Sequence, residues 1–503
     1  MFRRLFQQGS IYAISGVAAK MSGFILLYFY VDPDMLAKAE FGNLGVLDAT
    51  KSIALLVASA GIPMGLLRFA SSRDLTEKDR AAVPATALLL SAVTALLVGT
   101  IGWVWSPTFA SWLFGDAGRA EPFRWLAVYI AFKTIADVSF TEIRHREKAG
   151  SFVLVGVFEM AVMVGAILYF LILKGEGLTG VMKGYALSAA LLAGLLTPAL
   201  LVRVERRVLW SLVRPMLVFS LPLIASGLAA RFLNIGDRYL ITFFLGAESN
   251  AEYELAARFG GLVNTLVVQS FAAAFTVLGL KALGDEADPH FHRRTFRHLA
   301  AFAGGCALGL GMVYSDVVRL LPSNDPAYAQ GDGLVMLIAG GFALYGLYIV
   351  AVNVLYSAGR TRTVALTVGL AGLANLALNL ALIPLMGLAG AALATLLAYF
   401  VLAYGTAYAA EQSLSVGYPW RAVGWIAVAV VALWGVGQIA NDWTLWGRIG
   451  LRGGLLLAYP VVLFGVGVYR KEDWVQGRQL VARWRSGREH ARGTPPREGP
   501  PSR

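Results

Sequence analysis

The sequence predicts an all-α integral membrane protein with about fourteen transmembrane helices. Hydrophobic residues make up 57% of the 503 residues and charged residues only 15%, against about 25% charged residues in soluble domains. The mean hydropathy is +0.64. Most apolar residues are collected in segments long enough to cross a hydrocarbon layer of about 30 Å. The charged residues lie mainly in the short segments between them and in the C-terminal tail.

Fourteen apolar segments follow one another along the chain. They lie at about 9–31, 42–69, 83–105, 122–143, 150–173, 178–202, 217–245, 253–282, 298–321, 332–357, 363–384, 387–410, 422–440 and 445–469. Two sets of six on either side of a charged amphipathic segment suggest two repeated lobes that move about a central site. The predicted organisation is an N-terminal lobe over 1–202, a linker over 203–214, a C-terminal lobe over 215–410, two further helices over 411–469 and a basic, partly disordered tail over 470–503.

The distribution of Lys and Arg predicts the orientation. If the N-terminus is cytoplasmic, nearly all basic residues of the connecting segments and the tail lie on the cytoplasmic side. The other side then holds only Lys38, Arg119, Lys174 and Arg448. This bias follows the positive-inside rule, so we expect both termini in the cytoplasm. Lys20 interrupts the first apolar segment, and no convincing cleavage site follows it, so this segment reads as a retained helix rather than a signal peptide.

Composition also argues against several functional classes. The net charge of +12 suits an anionic membrane surface better than a nucleic acid in so apolar a chain. The single cysteine, Cys306, excludes disulfides, and the five histidines form no metal-ligand pattern. No connecting segment is long enough for a catalytic domain, and none carries a nucleotide-hydrolysis motif. We therefore expect no enzyme, no metal and no cofactor.

The predicted span 217–245 carries polar residues at its centre. Arg231, Asn234 and Arg238 share one helical face. A cation in mid-membrane costs from about 3 to over 10 kcal/mol unless it meets water or a partner. Arg231 therefore lines an aqueous cavity, which we favour, or else Arg231 or Arg238 forms a structural pair with Asp237 or with an acid on a neighbouring helix.

Charges also occur inside other predicted spans. Lys20 lies in the first span, and Glu159 lies in the fifth. Two pairs have helical spacing and suggest internal neutralisation: Asp48 with Lys51, and Lys133 with Asp137. The eighth span has a polar stripe that must face inward, either for interhelical hydrogen bonds or as a wet wall. This stripe consists of Glu254, Arg258, Gly261, Thr265 and Gln269.

Several short motifs resemble those of a known transporter family. They are Gly9-Ser10-Ile11-Tyr12 continuing to Lys20, Ala39-Glu40-Phe41-Gly42, Phe219-Ser220-Leu221-Pro222-Leu223-Ile224, Asp237-Arg238-Tyr239-Leu240, Phe244-Leu245-Gly246, and Asn375 with Asn379 before 382–392. Pro384, Gly387 and Gly390 in the last motif predict a tight turn with close helix packing. In order and spacing the sequence resembles the Wzx-type polysaccharide and oligosaccharide-lipid flippases, a superfamily that includes MurJ-like and MATE-related transporters.

The resemblance implies a V-shaped bundle that opens alternately to the two sides of a bacterial inner membrane. The substrate would be an undecaprenyl-diphosphate-linked oligosaccharide, and polysaccharide polymerase machinery could be a partner besides membrane lipids. MurJ-like members carry cavity cations on helices one, two and eight, which correspond here to Lys20, Lys51 and Arg258.

These expectations predict a separate role for each group of polar residues. The cations Lys20, Lys51, Arg231 and Arg258 would hold the diphosphate through charge-assisted hydrogen bonds, and Asn234, Thr265 and Gln269 would bind sugar hydroxyls. Coupling to H⁺ or Na⁺ would use one of four buried acids, Asp48, Asp137, Glu159 or Glu254. Two alternatives stay open: a MATE-like cation-coupled drug antiporter, and a non-transporting scaffold of polysaccharide assembly that docks partners through its basic tail.

Overall fold

A computed structural model describes residues 23–146, 149–283, 289–323 and 325–469. The predicted tail 470–503, Lys20 and most of the first predicted span lie outside these residues. The chain divides into two compact units, one ending at Tyr418 and the other beginning at Pro419. The described residues form helices and connecting turns without a β-strand. The predicted all-α class is thus confirmed.

The helices lie over the predicted apolar segments, but the second segment, 42–69, is divided at Ala60 and Gly61, and the seventh, 217–245, at Gly236. They are α1 (23–30, the described part), α2 (Lys38–Ser59), α3 (Ile62–Ala70), α4 (Glu77–Val104), α5 (Ser106–Phe114), α6 (Glu121–His145), α7 (Ala149–Leu168), α8 (Gly177–Leu201), α9 (Trp210–Ile235), α10 (Asp237–Leu245), α11 (Ala247–Leu262), α12 (Gln269–Lys281), α13 (Pro289–Val318), α14 (Asp332–Ser357), α15 (Thr361–Met386), α16 (Leu388–Glu411), α17 (Trp420–Gln438) and α18 (Leu445–Gly465). Short 3₁₀ helices lie at Ala117–Arg119 and Pro326–Gln330, and π-helical segments at Tyr169–Leu173 and Val263–Val268.

Eleven helices within the described residues are long and apolar enough to cross a membrane. The chain is therefore a multi-pass membrane protein. The number of fourteen remains a prediction for three spans. Most of the first lies outside the described residues, the fourth corresponds to α6 with Lys133 and Asp137 in its interior, and the helical path of the seventh, 217–245, is interrupted at Gly236.

Helix ends follow from local sequence. Thr76 begins α4 by accepting a hydrogen bond from the Asp79 backbone N–H, as an N-cap residue does. Gly387 ends α15 with a φ of +60°, a conformation open to glycine. A Cβ atom at Gly390 would lie 2.1 Å from the Leu382 carbonyl oxygen, so α15 and α16 meet backbone to backbone. The tight turn predicted here is confirmed at Gly387, with close packing at Gly390, whereas Pro384 lies inside α15 rather than in the turn.

The first unit contains two sets of helices with matching packing. We call α1–α8 the N-terminal half and α9–α16 the C-terminal half. In the N-terminal half, α6 packs between α4 and α8, and in the C-terminal half, α14 packs between α13 and α16. Each central helix corresponds to the fourth predicted span of its lobe, and its neighbours to the third and the sixth. This correspondence is typical of a transporter built from two repeats.

The two halves approach closely at two seams. In the first seam, between α2 and α11, a Cβ atom at Gly42 would lie 1.8 Å from the Ala247 carbonyl oxygen, and Asn250 donates a hydrogen bond of 2.7 Å to the Gly42 carbonyl. In the second seam, between α3 and α9, Gly61 and Gly65 lie against Ser220. Small residues at both seams let the helix backbones come together.

Candidate functional site

A cavity of about 390 Å³ lies between the two halves of the first unit. Five helices of the N-terminal half contribute to its wall, namely α1, α2, α6, α7 and α8, and the wall of the C-terminal half comes from α11 and the π-helical segment after it. Its polar lining side chains are Tyr30, Asp48, Lys51, Tyr129, Tyr185, Glu254, Arg258 and Thr265. The two halves therefore enclose charged side chains that lie within apolar, membrane-spanning helices.

A chain of ion pairs crosses the cavity from α2 to α11. Lys51 Nζ lies 2.5 Å from Asp48 Oδ1, as their spacing predicts. The other carboxylate oxygen of Asp48 lies 3.5 Å from Arg258 Nη2 in the opposite half. Arg258 Nε donates to Glu254 Oε1 over 2.9 Å. Each cation in the lining thus contacts at least one carboxylate.

The ion pairs continue into the C-terminal half beyond the cavity. Arg238 Nε lies 3.3 Å from Glu254 Oε2, and Arg238 Nη1 lies 2.7 Å from Asp237 Oδ1. The Tyr253 hydroxyl donates to Asp237 Oδ2 over 2.5 Å. Arg238 and Asp237 therefore form the local pair that the sequence offered as one reading of this segment, and they hold α10 against α11.

Aromatic rings surround the two cavity cations. Lys51 Nζ lies 3.8 Å from the centroid of the Tyr185 ring, and the Tyr185 hydroxyl donates to Asp48 over 3.2 Å. The Arg258 guanidinium lies 5.5 Å from the Tyr30 ring and 5.4 Å from the Phe41 ring. Cation–π contacts of this kind stabilise a desolvated positive charge.

The charges of the described lining balance. Asp48 and Glu254 offset Lys51 and Arg258. Lys20, another expected cavity cation, lies outside the described residues. The part of the wall that the structure describes therefore carries no formal net charge.

Two predicted ligands on α9 are not part of the described lining. Arg231 is exposed and follows by one helical turn Gly227, where a Cβ atom would lie 2.9 Å from Leu56 of α2. It therefore lies along the line where α9 meets the N-terminal half. Asn234 accepts a hydrogen bond of 2.6 Å from the Tyr399 hydroxyl, which turns its amide into the C-terminal half.

The polar stripe of the eighth span reaches the cavity only in part. Glu254, Arg258, Gly261 and Thr265 line it, and Gln269 does not. The π-helical segment Val263–Val268 explains the difference. A π turn adds a residue to the helical repeat, so the side chains after it rotate away from the face that regular α-helical spacing predicts.

Lys133 binds two carboxylates beside the cavity. Its ammonium lies 3.1 Å from Asp137 Oδ1, as predicted from spacing, and 2.5 Å from Glu159 Oε1 of α7. Lys133 follows the cavity residue Tyr129 by one helical turn, and Glu159 precedes the cavity residue Met163 by one turn. The triad therefore lies about 6 Å along the helices from the cavity wall, and it is not part of the lining.

A third charged cluster, absent from the sequence prediction, lies at the first seam. Lys38 Nζ, at the start of α2, lies 2.6 Å from Glu252 Oε1 of α11 and 2.5 Å from Asp325 Oδ2 of the α13–α14 connection. The hydrogen bond from Lys38, with one from the Ala327 backbone N–H, holds the pKa of Asp325 below its usual value. We call these three residues the seam cluster. Their separation in sequence explains why no spacing rule reveals them.

We expect Lys38→Met to loosen the first seam, because it removes the charge and keeps the apolar stem. Partly exposed ion pairs contribute about 0.2–1 kcal/mol each, so the change should shift a population rather than unfold the protein. Spin labels at Asp34→Cys and Glu248→Cys in a Cys306→Ser background should show an added longer distance. Because the Asp325 pKa lies below the usual aspartate value of about 3.9, its carboxylate stays charged from pH 8 to about pH 5, and the wild-type distances should not change in that range. Identical distance distributions for Lys38→Met and wild type would rule out a role for the seam cluster in holding the first seam closed.

No cofactor site is evident within the described residues. No three His, Cys, Asp or Glu side chains there are grouped closely enough to hold a metal ion. The linked ion pairs of the cavity can instead exchange partners with a charged ligand, and no covalent bond has to form or break.

Comparisons with known proteins agree with this architecture. Residues 5–278 match the family described as Polysaccharide biosynthesis protein, and the chain belongs to that family. No curated protein matches the sequence.

Among solved structures, the fold is similar to the lipid II flippase MurJ in an inward closed conformation, with a TM-score of 0.72, 13% identity and coverage of 92% of this chain and 100% of that chain. An inward-facing MATE family transporter of the MOP superfamily gives 0.62, 16% identity and coverage of 81% and 94%. The Vibrio cholerae MATE transporter VcmN in the bent form gives 0.55, 13% identity and coverage of 82% and 97%. These named proteins are a flippase and transporters, and the chain shares their fold.

Proposed function

We propose that this protein is a flippase that moves an undecaprenyl-diphosphate-linked oligosaccharide across a bacterial inner membrane, for cell-surface polysaccharide export. The observation that carries the proposal is the cavity between the halves, in which charged groups from both halves meet. Membership of the polysaccharide biosynthesis family supports the saccharide as cargo. The proposed orientation, with cytoplasmic termini, rests on the distribution of basic residues.

The physical problem of such transport explains why a charged cavity is needed. Each sugar hydroxyl moved into hydrocarbon without a hydrogen bond costs several kcal/mol, and a diphosphate costs far more. In the proposed mechanism Lys51 and Arg258 bind the diphosphate, and Thr265 binds a sugar hydroxyl. Lys20 and Arg231 remain candidates for the diphosphate outside the described lining, as do Asn234 and Gln269 for the sugar. The polyprenyl chain stays in the bilayer.

The size of the cavity implies that the halves move. A volume of about 390 Å³ is near the lower end of the range for drug-sized ligands, and an oligosaccharide head is larger. The two seams offer the motion, because they lie near opposite ends of α2, one at Gly42 and the other at Gly61. Opening one seam while the other stays closed would give alternating access.

Energy coupling is part of the proposal. Asp48 and Glu254 in the cavity, and Asp137 and Glu159 around Lys133, are the carboxylates that H⁺ or Na⁺ could reach. The triad around Lys133 has one excess negative charge, which favours uptake of a cation there.

Transport can be tested in proteoliposomes loaded with a fluorescent undecaprenyl-diphosphate-linked trisaccharide on both leaflets. A membrane-impermeant lectin or quencher reports the exposed fraction over time. We expect faster equilibration than in protein-free vesicles, with a steady state displaced by an imposed H⁺ or Na⁺ gradient. Equilibration at the rate of protein-free vesicles under every gradient would contradict the proposal.

A cation-coupled drug antiporter is the second candidate, favoured by the two carboxylates in the cavity and by the fold shared with MATE transporters. The same vesicles distinguish it, because efflux of an organic cation such as ethidium against a gradient, without movement of the lipid-linked saccharide, would support the antiporter. A scaffold role through the tail remains a prediction, and the tail lies outside the described residues.

A further inference from the structure

Asp48 contacts cations from both halves inside the cavity. Its Oδ1 atom lies 2.5 Å from Lys51 Nζ and accepts a hydrogen bond of 3.2 Å from the Tyr185 hydroxyl. Its Oδ2 atom lies 3.5 Å from Arg258 Nη2. Three donors, from α2, α8 and α11, therefore converge on one carboxylate.

These donors suit a phosphate as well as a carboxylate. A guanidinium, an ammonium and a hydroxyl all donate to anionic oxygens, and Arg in particular matches the geometry of both groups. The cluster is thus an anion site that the protein fills with its own side chain. Its contact with Arg258 is long at 3.5 Å, whereas Arg258 lies 2.9 Å from Glu254. The link across the halves is consequently the weaker one.

A resident carboxylate also solves an energetic problem of the cavity. Two cations facing each other at membrane depth without an anion would be strongly unfavourable. If an incoming phosphate replaces the carboxylate, each cation exchanges one anionic partner for another and is never left bare. The side chain of Asp48 is 25% exposed, so it has room to rotate away from these donors.

We propose that Asp48 is an internal placeholder for the substrate's phosphate: its carboxylate occupies the donors of Lys51, Arg258 and Tyr185 until a diphosphate group displaces it. The proposal rests on the proposed function and deepens it, because it makes Asp48 a competitor of the substrate that sets how tightly an anion binds. The shared chemistry is a diphosphate, either as a lipid headgroup or free in solution.

Binding to the purified full chain in detergent tests the placeholder. Isothermal titration calorimetry would use two probes, inorganic pyrophosphate and geranylgeranyl diphosphate. Asp48→Asn should bind the preferred probe about tenfold or more tightly than wild type, the effect expected when a competing charge-assisted contact is removed. Asp48→Glu, which keeps the charge, should stay close to wild type. If only the prenyl compound shows the gain, the site takes a lipid headgroup, and if both do, the diphosphate alone suffices.

A matched control removes a carboxylate from an ion pair elsewhere. Asp79 lies in α4, away from the cavity lining, and pairs with Arg207. Asp79→Asn removes this carboxylate and should leave diphosphate binding unchanged. If Asp48→Asn yields no folded protein, Asp48→Ser provides the same loss of charge with a smaller side chain.

Three results would overturn the placeholder. Equal binding by wild type and folded Asp48→Asn would remove it and leave the proposed function in place. Loss of binding in Asp48→Asn would make Asp48 a part of the binding machinery rather than a competitor. Absence of binding by every variant, including wild type, would contradict diphosphate recognition itself, and with it the proposed function.

Discussion

Replacing Arg258 with alanine is expected to reduce saccharide-lipid transport to near background. Arg258 is the lining cation of the C-terminal half, and it contacts Asp48 and Glu254 at once. Hydrogen bonds to charged groups contribute about 1.5–3 kcal/mol each, so losing two such contacts to a diphosphate corresponds to about 100-fold or more in rate or affinity. The measurement is the vesicle assay with the labelled trisaccharide lipid.

A lysine at this position separates the importance of charge from that of geometry. Arg258→Lys keeps the cation but loses the planar fork, so we expect partial transport. Arg362→Ala removes an exposed arginine at the start of α15 and should transport like wild type. Full activity of folded Arg258→Ala would remove this residue from the transport mechanism.

Replacing Gly42 with alanine is expected to force the first seam open. The new Cβ atom would lie 1.8 Å from the Ala247 carbonyl oxygen and 3.0 Å from the Ala251 nitrogen. Backbone atoms cannot rotate away as a side chain can, so α2 and α11 must separate. The spin-label distance between positions 34 and 248 should lengthen for the whole population, a larger effect than that of Lys38→Met, and transport should fall because one closed state is lost.

Gly369→Ala is the matched control for this change. Gly369 lies inside α15, and a Cβ atom there would meet no atom within 4 Å. Alanine is the better helix former by about 1 kcal/mol, so this variant should keep wild-type distances and be at least as stable as wild type. An unchanged distance in Gly42→Ala would show that the seam does not control separation of the halves.

Local features of the fold could be read from the sequence because they depend on nearby residues. The length of the apolar segments predicted the helices, and glycine predicted the turn at Gly387, whereas Pro384 lies inside α15. Helical spacing identified the pairs Asp48–Lys51 and Lys133–Asp137, both present in the structure. The packing around α6 and α14 is similar in the two halves, while the division of the chain into two lobes of six helices stays a prediction.

Features that join distant segments could not be read in this way. Nothing in the spacing of Asp48 and Arg258 indicates that they meet, and Glu159 joins Lys133 only because α7 packs beside α6. The balance of charge in the described lining depends on such meetings. Gln269 lies outside the lining for a different reason. The π-helical segment before it changes the helical repeat, and the spacing of polar residues in the sequence does not reveal such a segment.

Native mass spectrometry of the purified protein tests most directly whether the cavity between the halves holds an anionic saccharide lipid. The protein, extracted gently from cells that make the polysaccharide, should carry a mass equal to an undecaprenyl diphosphate bearing several sugars. Folded Lys51→Ala/Arg258→Ala protein from the same cells should lack that mass while retaining ordinary phospholipids. The same lipid-linked saccharide at equal occupancy in both proteins, or its absence from wild type, would contradict a binding site built on these two cations.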